Sequence, residues 1–592
     1  MTYIVISQAS RSTNRISAPV IRSWTAESGA FAALFFSSNE TGNTVPCRFG
    51  ENGEAFWCIQ GKVFSTVDGT LANDADVASM AIHDVEKMSH QFWGTFSLVT
   101  YDRRRNRSIV LSDPCGQQPL YFHRTDDGDF HIGGEIEDFF RIGRVNRELD
   151  MRYLHEYLAY GSGNPSGTGW RGIALLPPGM CLIEDPGNKY ALRRFWSPMV
   201  RSRTMEGNPI DILSTVVRLL LKDEQSTFLE LSGGVESTAL AVAVHRSKLH
   251  ESVVSLTYYD PRRASSNEVS IARAVARRCQ LEHKTFPILS TLPFTPTEKI
   301  PHVSRPCTEL CFLAQFENIV EAGLLVPTVT LLNGHGGDAL FLAPPPFGIP
   351  IDAAGRLRLI RAVTALRDLA VQHRVPFAVV LAKAIRASTQ FFNGTLASPA
   401  SYAIAILEQD ISTPRIYDDV MSRIGLLVQP ARRYQIAALG ATLDETIVHV
   451  GPTYCRPVMP FLSQPVIELA LRLKPKDMFS GFSNRLPFRR AAYQASNLSN
   501  LWRRDKGDTT HSVLMGIHKY REHIRDVCLD GRCADDKLID VQRMDRLIKR
   551  AALGYASGLP EITRLFATEI FIRSASQSVL GAATGMAGRQ PG

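Results

Sequence analysis

The chain has 592 residues, 44% hydrophobic and 21% charged, which fits two or three globular domains rather than one. Its 66 basic and 58 acidic residues leave a net charge of +8, too mild for this length to imply nucleic acid, while permitting a surface that attracts an acidic peptide or a nucleotide. Ten scattered cysteines with no CxxC pair predict a reduced, cytoplasmic chain, and the lack of a basic-then-apolar N-terminus or of any run of about 18 apolar residues predicts neither a signal peptide nor membrane insertion.

Residues 1 to about 198 read mostly as strands. Ala55–Ile59 is a short apolar run ended by Gln60-Gly61, and Asp74 to His90 has a helical pattern. Thr95–Tyr101 alternates at period two, Ser108–Ser112 follows as its hairpin partner, Asp113-Pro-Cys-Gly116 turns, and Pro119–Phe122 resumes. This pattern predicts an α+β domain with stacked antiparallel sheets. The order resembles the class II glutamine amidotransferase domain: Gly94-Thr-Phe matches its Gly-x-Phe, Asp113-x-x-Gly116-x-x-Pro119-Leu-Tyr its Asp-x-x-Gly-x-x-Pro-Leu-Tyr, Gly134-Glu135 falls at its Ser-Glu, and Leu176-Pro-Pro-Gly179 matches its closing turn, before Phe195-Trp196 leads onward. The family hydrolyses glutamine with a cysteine that becomes N-terminal once Met1 is removed, its own α-amine acting as base. Here residue 2 is threonine, and the family's Asn-Gly-Glu stands as Gln60-Gly61-Lys62, where Lys62 would repel a substrate ammonium. These two departures imply that domain 1–198 keeps a glutaminase fold but does not hydrolyse glutamine.

From about 205 the rhythm changes to strand–helix alternation, the mark of a parallel α/β sheet. Thr227–Leu231 reads as an apolar strand, Ser232-Gly233-Gly234 as a turn, and Ala239, Leu240, Val242 and Ala243 as the start of a helix. Small residues between a strand and a helix leave N–H groups free to hold an anion, with the hydroxyls of Ser232, Ser237 and Thr238 as further donors. Glu236 stands where a carboxylate would hold magnesium between phosphates. An ordinary glycine turn is the competing reading. The stretch resembles the pyrophosphate loop of ATP-pyrophosphatases, Ser-Gly-Gly-x-Asp-Ser, which implies that Leu231, Ser232, Gly233, Gly234, Val235, Glu236, Ser237 and Thr238 bind ATP. The family aspartate is Glu236 here, one methylene longer.

Val253–Thr257 reads as the next strand; in the resembled family it contacts adenine, which makes Leu256 a nucleotide contact or else a plain buried residue. Ser265 and Glu268 form a capping box ahead of a helix whose apolar stripe is Ile271, Ala272, Val275, Ala276 and Cys279. Glu268, Ala272 and Ala276, followed by His283, resemble the family's Glu-x-x-x-Ala-x-x-x-Ala helix and the histidine after it, while His283 by itself reads as a structural histidine. Cys307 and Cys311, four apart, lack a second ligand pair, so a metal site there is disfavoured.

Thr328–Phe341 runs from a strand ending at Leu332 through Asn333-Gly334-His335-Gly336-Gly337 to Asp338 and an apolar helix start. It resembles the Ser-Gly-x-Gly-x-Asp-Glu-Leu-Phe loop of asparagine synthetases, which implies nucleotide contacts from Asn333, Gly334, Gly336 and Gly337 and a magnesium-holding Asp338. Glycine turns are common, but this one closes a strand about 100 residues after the first loop closes another, and the pair is a specific signal. Gly-His-Gly-Gly-Asp points more narrowly to the lasso peptide cyclases, the macrolactam synthetases of the asparagine synthetase superfamily. Pro460–Glu468, the Arg485-x-x-x-Arg489 pair within Asn484–Arg490, and Arg503-Arg-Asp-Lys-Gly507 resemble that group too, and the resemblance sets Lys506 against the nucleotide phosphates.

The expected fold class is therefore an α+β class II glutamine amidotransferase-like domain followed, over 205–592, by an α/β ATP-pyrophosphatase (adenine nucleotide α-hydrolase-like) synthetase domain. The resemblance implies ATP and Mg2+ as cofactors, Glu236 and Asp338 as metal ligands, and Lys506, Asp338 and Glu236 as catalytic residues. It implies a precursor peptide as substrate, with a leader peptidase and a leader-recognition protein of the same pathway as partners, and no nucleic acid. Asparagine or β-lactam synthesis from a non-glutamine amine is the nearest alternative; a tRNA-modifying ATP-pyrophosphatase fits the amidotransferase-like half poorly, and a non-catalytic binding protein would follow if Glu236 held no metal. Between the two motif regions, Pro344-Pro-Pro346 breaks the chain, and Arg356 to Arg386 reads as a basic helix carrying Arg358, Arg361, Arg367 and Lys383. A solvated face is favoured there over a wall of the peptide cavity. The small-residue tail from Gly581 reads as disordered, and no internal repeat or Walker A motif is present.

Overall fold

The computed structural model describes residues 2–7, 22–25, 32–37, 47–66, 69–126, 128–141, 145–185, 189–199, 207–259, 261, 268–288, 291–355, 358–392, 416–424, 429–448, 450–503 and 510–576. Ser265, Arg356, Lys506 and the tail from Gly581 lie outside the described residues.

The first part of the chain builds two six-stranded antiparallel sheets. Its strands are β1 (Thr2–Ser7), β2 (Arg22–Thr25), β3 (Ala32–Ser37), β4 (Cys47–Glu51), β5 (Ala55–Ser65), β6 (Phe92–Asp102), β7 (Arg107–Ser112), β8 (Tyr121–Arg124), β9 (Phe130–Gly133), β10 (Ala174–Leu175), β11 (Met180–Asp185) and β12 (Lys189–Arg194). One sheet runs β10-β8-β9-β1-β3-β2, the other β12-β11-β7-β6-β5-β4. Alternation decides which side chain goes where. Phe56, Cys58, Val99, Tyr101 and Val110 meet Phe122, Phe130 and Ile132 between the sheets. Trp57, Ile59, Phe96 and Leu98 point the other way, onto the helices Asp74–His83 and Val85–Gln91.

Two local readings are corrected. The apolar run at Ala55 does not end at Gln60-Gly61; β5 continues to Ser65, paired with β6 throughout. Gly61 holds φ +99, and a Cβ there would sit 2.2 Å from the Thr95 carbonyl oxygen, so glycine serves close strand approach rather than termination. The helical stretch Asp74–His90 is two helices. Asp84 is extended at φ −158, closing the first and capping the second by accepting from the Lys87 N–H at 2.9 Å.

The second part is a five-stranded, all-parallel sheet of β13 (Thr227–Glu230), β14 (Val253–Tyr259), β15 (Glu282–Pro287), β16 (Thr330–Leu332) and β17 (Arg456–Val458), in the order β15-β14-β13-β16-β17. The order reverses between β13 and β16. Crossovers leave those two neighbours in opposite directions, which opens a crevice beyond their carboxyl ends, where ligands bind in sheets of this type. The basic segment is again two helices, Leu359–His373 and Phe377–Phe392, separated where Arg374 turns left-handed at φ +53 ahead of Pro376. Among the described residues no helix is long and apolar enough to cross a membrane.

The two parts share one core. The Gln464 amide donates to the Ser89 carbonyl at 2.7 Å, and the Trp196 indole donates to Glu468 at 3.1 Å. Lys62, expected to face the glutamine ammonium, turns instead to the second part, donating to the Leu220 and Lys222 carbonyls and pairing with Glu224 at 2.8 Å. Burial, with Arg456 nearby, lowers its ammonium to about 8.

Candidate active site

The loop after β13 is set by its own small side chains. Gly233 holds φ +72, and a Cβ there would come within 2.8 Å of Ile271. The Ser232 and Ser237 hydroxyls lie 3.2 Å apart across the turn, and the helix Val235–Arg246 starts directly behind them. Thr238 departs from expectation. It is fully buried, and its Oγ1 accepts from the Asn500 amide at 3.0 Å, so it anchors the loop instead of offering a donor to a ligand. Asn500 also donates to the Gly233 carbonyl at 3.2 Å.

The loop after β16 meets the first one around Glu236. A Cβ at Gly334 would lie 2.7 Å from the Glu236 Cβ, and one at Gly337 2.6 Å from its Cγ. Gly336 is left-handed at φ +88 against Leu462. Only glycines let the two loops approach this closely. Asn333 shapes the turn: its side chain accepts from the His335 N–H at 3.1 Å. Asp338 sits in the first turn of the short helix Gly337–Leu340, with its side chain half exposed.

A residue absent from the expected set joins these carboxylates. Arg485, itself buried and left-handed at φ +54, places Nη1 in hydrogen-bond contact with both Glu236 Oε1 and Asp338 Oδ1. Arg489 braces this arginine, donating Nε to the Asn484 carbonyl at 2.8 Å and Nη1 to the Leu501 carbonyl. Burial, then the neighbouring Arg485, lowers the Arg489 guanidinium to about 10. The Arg485-x-x-x-Arg489 spacing was the available sequence signal.

Two carboxylates from separate loops thus converge on one cationic nitrogen. Paired hard oxygens at the mouth of an anion loop also suit Mg2+, which commonly takes one or two carboxylates and completes its shell with phosphate oxygens and water. Among the described residues no three His, Cys, Asp or Glu cluster in a metal-binding group, so a divalent ion here would depend on such outside ligands.

Two cavities flank the first loop. One, of about 640 Å³, is lined by Leu231, Ser232, Glu236, Ser237 and Leu256 on one side and Gly334, Gly336 and Asp338 on the other. Ala438, Ala441, Thr442 and Glu445 of the helix Pro430–Thr446 form its far wall. The second, of about 190 Å³, joins Ser232, Gly233, Gly234 and Val235 to Arg374, Arg485, Arg489 and Arg503. The expected ATP residues therefore gather at one place, except that Thr238, Asn333 and Gly337 support the loops from behind.

Glu230 is a second residue that sequence reasoning missed. Its side chain opens into the larger cavity without a hydrogen-bond or ion-pair partner among the described residues, and burial raises its carboxyl to about 7. An acid inside the apolar strand Thr-Phe-Leu-Glu was the signal. His283 shares a hydrogen bond with Ser255 Oγ, 2.9 Å away, outside both cavities, and Cys307 and Cys311 are buried in the core.

A family model described as glutamine amidotransferase domain matches residues 70–196, and one described as asparagine synthase matches residues 211–393 and 456–573. Among solved structures, the allosteric regulatory enzyme of purine biosynthesis is 10% identical over 54% of this chain and 87% of its own, with a TM-score of 0.22. The glutamine phosphoribosylpyrophosphate amidotransferase from B. subtilis, complexed with ADP and GMP, is 10% identical over 61% of this chain and 73% of its own, with a TM-score of 0.18. A search of curated proteins gave no match.

Proposed function

Because this chain belongs to the asparagine synthase family, and is an ATP-dependent ligase that forms C–N bonds, we propose that it closes a macrolactam ring in a peptide, the reaction of lasso peptide cyclases. The observation that carries this reading is the larger cavity. Its nucleotide side is built by the two loops, whereas its far wall comes from the helix Pro430–Thr446, inside the stretch 394–455 that lies between the two matched segments. Small side chains on that wall, Ala438 and Ala441, leave room for a substrate larger than a free amino acid.

In this reading Ser232, Gly233, Gly234 and Val235 hold the phosphates, and Leu231 and Leu256 flank the adenine. Glu236 and Asp338 would hold Mg2+ where they now meet Arg485, and the ion would neutralise charge on the departing pyrophosphate. A peptide Asp or Glu side chain attacks the α-phosphate, pyrophosphate leaves, and the peptide's own N-terminal amine then displaces AMP to form an isopeptide bond. Arg485 and Lys506 supply fixed positive charge as negative charge grows on the phosphate oxygens. Glu230, poised near neutrality, accepts the proton that the attacking amine sheds. The protein's main contribution is to hold amine and acyl carbon together, an effective-molarity gain of roughly 7–11 kcal/mol at best. A precursor peptide is thus the substrate, and a leader peptidase with a leader-recognition protein would present it.

The test uses peptides that carry both a free N-terminal amine and an internal Asp or Glu. AMP and a ring product should form together. N-acetylated versions should still exchange pyrophosphate with ATP yet yield no ring. AMP formation from aspartate and ammonia, with no response to any peptide, would make the protein an asparagine synthetase instead.

A further inference from the structure

A third cavity lies at the other end of the same Pro430–Thr446 helix. It measures about 320 Å³, and Arg358, Arg361, Arg432, Lys474 and Lys476 line it against the single carboxylate of Asp352. Its floor is apolar, with Ile349 and Ala365. We propose that this cavity binds a carboxylate-rich stretch of the peptide substrate, a role that rests on the peptide-ligase reading above.

The charge arrangement is the first reason. Among the described residues Arg358, Arg361 and Lys474 have no ion-pair partner, and Lys476 reaches only Asp477, at 3.9 Å. Arg432 is the most enclosed. Its guanidinium donates to the Gln435 side chain and the Leu473 carbonyl, both uncharged. Burial lowers it to about 10, with Asp352 the one group opposing that shift. Four of these cations stand exposed at the rim and Arg432 lies deeper, so an anion entering the cavity meets five positive side chains and one carboxylate. Guanidinium groups pair with carboxylates in a planar, two-bond fit that a lone ammonium cannot give.

The second reason is position. Arg432 precedes Ala441, on the wall of the larger cavity, by nine positions in one helix. At about 1.5 Å per residue the two points are roughly 14 Å apart, the reach of about four extended residues. Gln435, one turn beyond Arg432, donates to the Leu340 carbonyl at the end of the short helix that carries Asp338. A peptide anchored by acidic residues in the basic cavity would therefore bring a residue about four or five positions away to the nucleotide. All four cations of the basic stretch are exposed, but only Arg358 and Arg361 line this cavity; Arg367 and Lys383 do not.

The full-length protein is titrated calorimetrically with an N-acetylated, C-terminally amidated hexaglutamate peptide. Binding should be saturable and should weaken as salt is raised. The double reversal Arg361→Glu with Lys474→Glu should weaken it at least tenfold. The control Arg367→Glu, exposed on the same helix, should bind as the parent does. Equal melting temperatures for the three proteins show that folding is not the cause. No binding, or equal binding by the double variant, overturns the proposal. Inorganic phosphate that displaces the peptide at equal concentration would overturn it as well and reassign the cavity to phosphate. AMP formation by the unaltered protein is read separately. Its absence with every peptide defeats the ligase reading alone, and hexaglutamate binding does not depend on it.

Discussion

Arg485 is buried against two carboxylates, Glu236 and Asp338. A lone arginine in a basic run is normally surface, and only the fold brings it to Glu236, 249 positions away. Arg485→Ala should destabilise the protein by about 3 kcal/mol, because it removes a buried cation from the buried Glu236 carboxylate. Mg2+ should raise the melting temperature of that variant more than that of the parent, since the ion takes the vacated place between the carboxylates. Equal Mg2+ effects on both proteins would show that Mg2+ and Arg485 do not compete for Glu236 and Asp338. Glu236→Asp should retain activity, as it restores the family residue. Lys506, outside the described residues, was legible only through resemblance; Lys506→Ala should lower turnover roughly 10²-fold, the scale of losing one transition-state donor. Glu230 gives a pH prediction. Turnover should rise as pH passes about 7 and the carboxylate forms, and Glu230→Gln should flatten that limb and cut turnover by about 10²-fold or more. The sign for stability is opposite. A carboxyl raised on folding stabilises below its ordinary range, and that contribution is lost as pH rises through about 7. Glu230→Gln should thus be the more stable protein at about pH 8, and a parent more stable there would contradict the assignment.

At the scale of elements, both glycine loops were legible because glycine spacing at a strand end is a local property. Spacing alone does not reach tertiary contacts, however. Gly61 reads as a strand end because its partner strand, with Gly94 opposite Val63, is not visible in the sequence. The break at Asp84 was missed for a related reason, since the apolar pattern carries across both helices and only the cap reveals two. Thr238 reads as a ligand donor from its neighbours in the chain, but Asn500, far along the sequence, binds it in the fold. The loop contact itself is open to test. Gly337→Ala would drive a methyl group to within 2.6 Å of the Glu236 Cγ, displacing the carboxylate. AMP formation should fall by at least tenfold with little loss of secondary structure by circular dichroism. Unchanged AMP formation would mean that the loops can part without cost.

The whole molecule joins an amidotransferase fold to a ligase, yet the joint itself uses the position where glutamine would be held. Lys62 is tied to Glu224, which also pairs with Arg456 at the start of β17. Lys62 thus links the two parts rather than repelling a substrate, and the prediction is unchanged: the protein should release no glutamate from glutamine at an enzymatic rate, and release at such a rate would restore an amidotransferase role. Ring closure on a peptide by the two loops remains the proposal on which the rest depends. Mass spectrometry of a leaderless core peptide, incubated with the protein, ATP and Mg2+, tests it most directly. The product should be lighter by one water, linked from the N-terminal amine to an Asp or Glu side chain, with one AMP per ring and none from Glu236→Ala or Asp338→Ala. Only linear peptide from the parent protein, or rings formed at the parent rate by Glu236→Ala, would contradict it.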